Sequence, residues 1–129
     1  MTMKATATAI ALGMALFGGS AEASFHLMKV VQVFPGTAAA PNAQYVMIQM
    51  YTGGQNQLSG HQISVFNASG TAIQNFTFNA AVANGGAQAR ILIATTEAVA
   101  LFGMSADLTM TAVLPLAGGK VCFDAIPVD

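Results

Sequence analysis

Few side chains in this sequence are able to do chemistry, and they stand far apart. Histidine occurs at His26 and His61, and the single cysteine is Cys122. Downstream of Ala23 the carboxylates are Glu97, Asp107, Asp124 and Asp129. A zinc ion takes three or four ligands from imidazole, thiolate and carboxylate. His61, Cys122 and Asp124 could supply three only if the fold gathered them, because the sequence holds no pair at ligand spacing. A nucleophilic serine needs an adjacent base that an acid orients. Ser59 and Ser69 each precede a glycine, yet neither lies in a G-x-S-x-G elbow. Glycoside cleavage needs two facing carboxylates, and those here fall in separate segments. The glycine pairs at 53–54, 85–86 and 118–119 lack the spacing of a phosphate-binding loop. This inventory predicts a chain that is not an enzyme and uses no cofactor and no metal.

Charge points the same way. Only 7% of the 129 residues are Asp, Glu, Lys or Arg, and the net charge is −1; ordinary soluble domains carry roughly a quarter. Lys29, Arg90 and Lys120 are scattered. A nucleic-acid binder needs a basic face to displace counterions from phosphates, so no nucleic-acid partner is expected. A weakly charged surface rich in Gln, Asn, Thr and Ser fits contact with protein instead.

The apolar excess begins with a leader. Residues 1–23 read as a secretory signal peptide: Lys4, then an apolar stretch from Ala5 to Phe17, then Gly18-Gly19-Ser20 and the cleavage signal Ala21-Glu22-Ala23. The apolar stretch is shorter than the roughly 18–20 residues that span hydrocarbon. Polar residues interrupt every later run, so no membrane span is expected after cleavage. The mature chain, 24–129, is expected in the periplasm, at the cell surface or outside the cell. Cysteines usually pair in such compartments. A lone Cys122 therefore reads as a buried inert thiol, an intermolecular bridge, or half of a disulfide whose partner lies beyond Asp129. Asn67-Ala68-Ser69 and Asn75-Phe76-Thr77 match glycosylation sequons, a pattern common by chance in Asn- and Thr-rich chains.

The elements that must position these residues are short strands between Gly, Asn, Pro and Ser turns. Phe25–Phe34 is the first, stopped by Pro35-Gly36. In Gln44–Tyr51 the two-residue period puts Val46, Ile48 and Met50 on one face and Tyr45, Met47, Gln49 and Tyr51 on the other. Gln62–Asn67 and Thr71–Phe78 flank Ala68-Ser69-Gly70 as a hairpin. Arg90–Thr95, apolar almost throughout, reads as a central strand. Thr95-Thr96-Glu97 opens a short helix that Gly103 closes, with Val99, Leu101 and Phe102 as its expected buried side. Leu108–Leu114 and Lys120–Ala125 complete about seven strands. The sum is an all-β chain, a β-sandwich of about seven short strands with one short helix.

Four pieces in order resemble the lamin tail domain, an immunoglobulin-like β-sandwich of nuclear lamins and of many secreted bacterial proteins. They are the strand Tyr45–Tyr51; Leu58-Ser59-Gly60-His61 with the strand to Phe66; Gly70 with Phe76-Thr77-Phe78, then Gly85-Gly86 and Ile91–Ala94; and the closing Gly118–Asp124. His61 stands where the family favours tryptophan, so packing is its expected role. The resemblance spans about Gln44 to Ala125 and implies a binding or scaffolding module without catalytic residues.

The functional expectation is a secreted, non-enzymatic interaction or structural domain, in contact with a protein partner or with itself. Tyr45, Met47 and Tyr51 are the expected interaction surface. Weakly charged edge strands lack the usual protection against pairing with another chain. The alternative is an accessory domain of a secreted hydrolase or nuclease whose chain continues past Asp129.

Overall fold

The computed structural model describes residues 27–124. The leader at 1–23, the start of the first strand at Phe25 and His26, and the residues after Asp124 lie outside the described residues. The elements run β1 (Met28–Phe34), β2 (Tyr45–Met50), β3 (Gln62–Asn67), β4 (Ala72–Thr77), β5 (Arg90–Ala94), α1 (Thr96–Phe102), β6 (Leu108–Thr109) and β7 (Gly119–Phe123). They form two sheets, one ordered β1-β2-β5-β6 and the other β4-β3-β7. The chain is therefore mostly β, with one short helix. No helix among the described residues is long and apolar enough to cross a membrane.

Alternating side chains explain how the sheets meet. Val46, Ile48 and Met50 of β2, with Ile91 and Ile93 of β5, turn toward Ile63 and Val65 of β3 and Phe76 of β4. Leu58, Phe78, Met110 and Leu114 close the ends of this shared core. Burying each such side chain contributes roughly 1.5–3 kcal/mol. β2 is central: Ile48 pairs with Val30 on one side and Ile91 on the other, both antiparallel. β5 is apolar on both faces because both are covered. Leu92 and Ala94 face a second, smaller cluster with Ala43 and Ala98 beneath α1.

The helix start agrees with its sequence signal. Thr95 is extended (φ −74°, ψ 158°) and its Oγ1 accepts the Ala98 amide, while Gly103 closes the helix at φ 65°. Its buried side differs from expectation. Ala98 is buried and Val99 half-buried, but Leu101 and Phe102 are exposed. The helix makes only about two turns, so its small residues seat it on the sheet and its large ones overhang.

The strand predicted over 108–114 shrinks to Leu108–Thr109. It pairs in parallel with Ile93 and Ala94 of β5, and β5 then ends because Thr95 turns the chain into α1. The Met110 amide takes the last carbonyl, that of Ala94 (2.9 Å). Beyond it the chain has no strand to join, and Leu114 is held by a side chain instead. That side chain is Gln44. Its Oε1 accepts the Leu114 amide (2.9 Å), and the two hydrogens of its Nε2 are shared among the carbonyls of Leu114 (3.2 Å), Pro41 (3.2 Å) and Pro35 (3.1 Å). Its own amide donates to Thr95 Oγ1 (3.1 Å), whose hydroxyl donates to the Asn42 carbonyl (2.7 Å). Gln44 thus joins the β1–β2 and β6–β7 connections through its side chain and the turn at Thr95 through its backbone.

Candidate interaction surface

On the outer face of the β1-β2-β5-β6 sheet two half-buried rings meet one exposed ring of the helix. Phe34 of β1 is in register with Tyr45 of β2. Their rings stack at 5.3 Å, and Phe102 meets them edge-on at 5.5 Å and 6.1 Å. Edge-to-face and offset geometries are those favoured by the aromatic quadrupole. Leu101 beside Phe102 is 56% exposed and Phe102 itself 47%. The result is an aromatic knot that joins two strands and the helix and keeps one flank in water.

The strand period assigns Tyr45, Met47 and Tyr51 to one outer face. The structure divides them. Tyr45 and Met47 are half-buried and pack with Ala43, Leu92 and Ala98 under α1. Tyr51 lies just beyond β2, roughly 20 Å along the strand from Tyr45. It is 46% exposed, with Lys29 Nζ 4.9 Å from its ring centre. Phe34 and Phe102 join the surface unannounced by the sequence. Strand register decides that Phe34 meets Tyr45, and the length of the helix decides that Phe102 overhangs.

Of the groups considered for a metal, His61 and Asp124 meet and Cys122 stands apart. His61 Nδ1 and Asp124 Oδ2 are 2.5 Å apart, and the His61 ring stacks on Phe123 at 6.1 Å. Asp124 Oδ1 accepts the Gln62 amide (3.2 Å), and the Asp124 amide donates to the Gln62 carbonyl (2.7 Å). Asp124 has φ 50°, so the pair clamps the end of β7 onto β3. Cys122 is not drawn in. Val121 and Phe123 pack on the core, and by alternation Cys122 points the other way, half-buried opposite Ser64. The flanking apolar residues therefore do not enclose the thiol. Among the described residues no three His, Cys, Asp or Glu side chains gather as a metal site requires.

Asp107 Oδ2 accepts the Leu92 amide (2.9 Å). Glu97 lies in the first turn of α1, where the Thr96 hydroxyl donates to its Oε1 (2.7 Å). That bond, with one from its own backbone amide, holds the carboxyl below its ordinary value. An open cleft of about 300 Å³ runs between the end of β1 and the start of β7, lined by Val33, Pro35, Leu114, Leu116 and Val121. No family model, curated protein or solved structure matches the chain.

Proposed function

We propose that this chain is an exported, non-enzymatic β-sandwich of the immunoglobulin-like, lamin-tail type. It works by protein contact at the cell surface or outside the cell. The observation that carries the reading is the aromatic knot of Phe102 against Phe34 and Tyr45, with Phe102 and the adjacent Leu101 exposed. Interfaces concentrate aromatic side chains at their centres, and the three rings of this cluster already pack on one another. The leader-like residues 1–23 support export, and the four lamin-tail-like pieces support the family reading.

Two measurements test it on the full chain in the cells that make it. Fractionation with mass spectrometry is expected to find an exported form beginning at Ser24. An uncleaved chain confined to the cytoplasm overturns export. A photo-crosslinking residue at Leu101 is expected to give a discrete protein adduct that the same residue at exposed Gln57 does not. No adduct at 101, or equal adducts at both, overturns the contact surface.

A further inference from the structure

Each sheet has two edges, and three of the four are blunted. β6 is two residues long. β1 carries Lys29 and a bulge at Val31, where the register skips from Val30 to Gln32. β7 carries Lys120, begins at Gly119 against Pro115, and lies beside β1. Charges, bulges, short length and cover are the devices that keep edges from pairing. β4 differs. Its one bulge, at Ile73, ends the irregular part, and from Gln74 to Thr77 the strand is regular, without charge or proline. The Phe78 amide donates to the His61 carbonyl, and the Phe78 carbonyl accepts the Gly60 amide. By alternation Phe76 and Gln74 also face β3, whereas exposed Asn75 and Thr77 turn their amides and carbonyls outward.

We infer that β4 is a self-pairing edge, at which two copies of this chain join their three-stranded sheets into one. The inference rests on the contact reading above and names one partner, a second copy. Outward amides and carbonyls, exposed to water in the single chain, present the row of donors and acceptors that an extended backbone can pair with. A two-fold axis sets β4 antiparallel to itself, so any charge on it would meet its own like. Residues 71–79 carry none, and the whole chain has a net charge of only −1. With Phe76 on the axis, Asn75 of each copy pairs with Thr77 of the other. That register makes about four backbone hydrogen bonds and leaves Phe76 and Phe78 in their own cores.

Light scattering across a concentration series on the exported chain tests this. A dimer is expected. Asn75→Lys sets a new ammonium diagonally across the axis from its mate and weakens dimerisation about two- to fivefold. Thr77→Lys does the same from the neighbouring position, and Gln57→Lys leaves the dimer unchanged. Circular dichroism checks that each variant is folded. A wild-type monomer at every concentration overturns the inference, as does a dimer untouched by both β4 lysines. In the first case a Leu101 adduct to a different protein leaves the contact reading standing; its loss as well would remove both.

Discussion

Gln44 shows how much one residue can fasten. It is 5% exposed, and each polar atom of its side chain has a backbone partner. Gln44→Leu keeps most of the volume but leaves the buried Leu114 amide and carbonyl without their partner. An unmet buried polar group costs about 1–3 kcal/mol. The variant is therefore expected to lose about 2–4 kcal/mol of stability in urea titrations, and an unchanged midpoint would refute the fastening role. Little of this is legible in the sequence, where Gln44 reads as a polar residue at the start of a strand. Thr95 is legible, because Thr-Thr-Glu before an apolar run signals a helix start. That the same hydroxyl also takes the Gln44 amide depends on which loops converge there.

Glu97 supplies a pH-dependent contribution at the same scale. Its carboxyl is lowered from the ordinary value of 4.5, so the folded state holds the proton less readily than the unfolded chain. The stability this lends is fully present above the unfolded value and is lost as pH falls through the folded one. The carboxyl is fully exposed, so the effect is small. Glu97→Gln is expected to be the less stable variant near neutral pH and to converge on wild type in acid, once the pH has fallen through the lowered folded value. A gap that stays constant with pH would assign the difference to something other than ionisation.

At the scale of elements, alternation makes the strands readable and tertiary context sets their lengths. Ile48 and Met50 lie inward as their spacing predicts, and Ile63 with Val65 does the same in β3. The 108–114 strand is overread because its apolar residues serve the core from a loop: Met110 and Leu114 are buried without a ladder. The helix is found by its caps, but its exposed Leu101 and Phe102 are misplaced because so short a helix has no complete apolar stripe. β7 depends on a different constraint. A Cβ at Gly119 would overlap the Phe66 carbonyl oxygen and crowd Pro115 Cγ at 2.9 Å. Gly119→Ala must push β7 away from β3, and overpacking of this kind costs about 1–3 kcal/mol. Thermal or urea unfolding of that variant is the check; equal stability would show that β7 yields freely.

At the scale of the molecule, the two neighbours of β3 depend differently on chain order, and this has a kinetic consequence. β3 gains β4 through a short turn, tied by the Asn67 side chain to the Ser69 and Thr71 amides. Its other neighbour arrives from the far end of the described chain, where Ile63 meets Phe123. Closing so long a loop is entropically expensive before its contacts reward it. The β3–β4 hairpin is thus expected inside the folding transition state, and β7 outside it. Gly119→Ala should then speed unfolding and leave the folding rate nearly unchanged, whereas a hairpin change such as Asn67→Ala should slow folding. Stopped-flow chevrons separate the two, and a slowed folding arm for Gly119→Ala would reverse the order. If β7 seats last, the half-finished molecule leaves both sides of β3–β4 open, and its lifetime sets how long a wrong strand has to take β7's place.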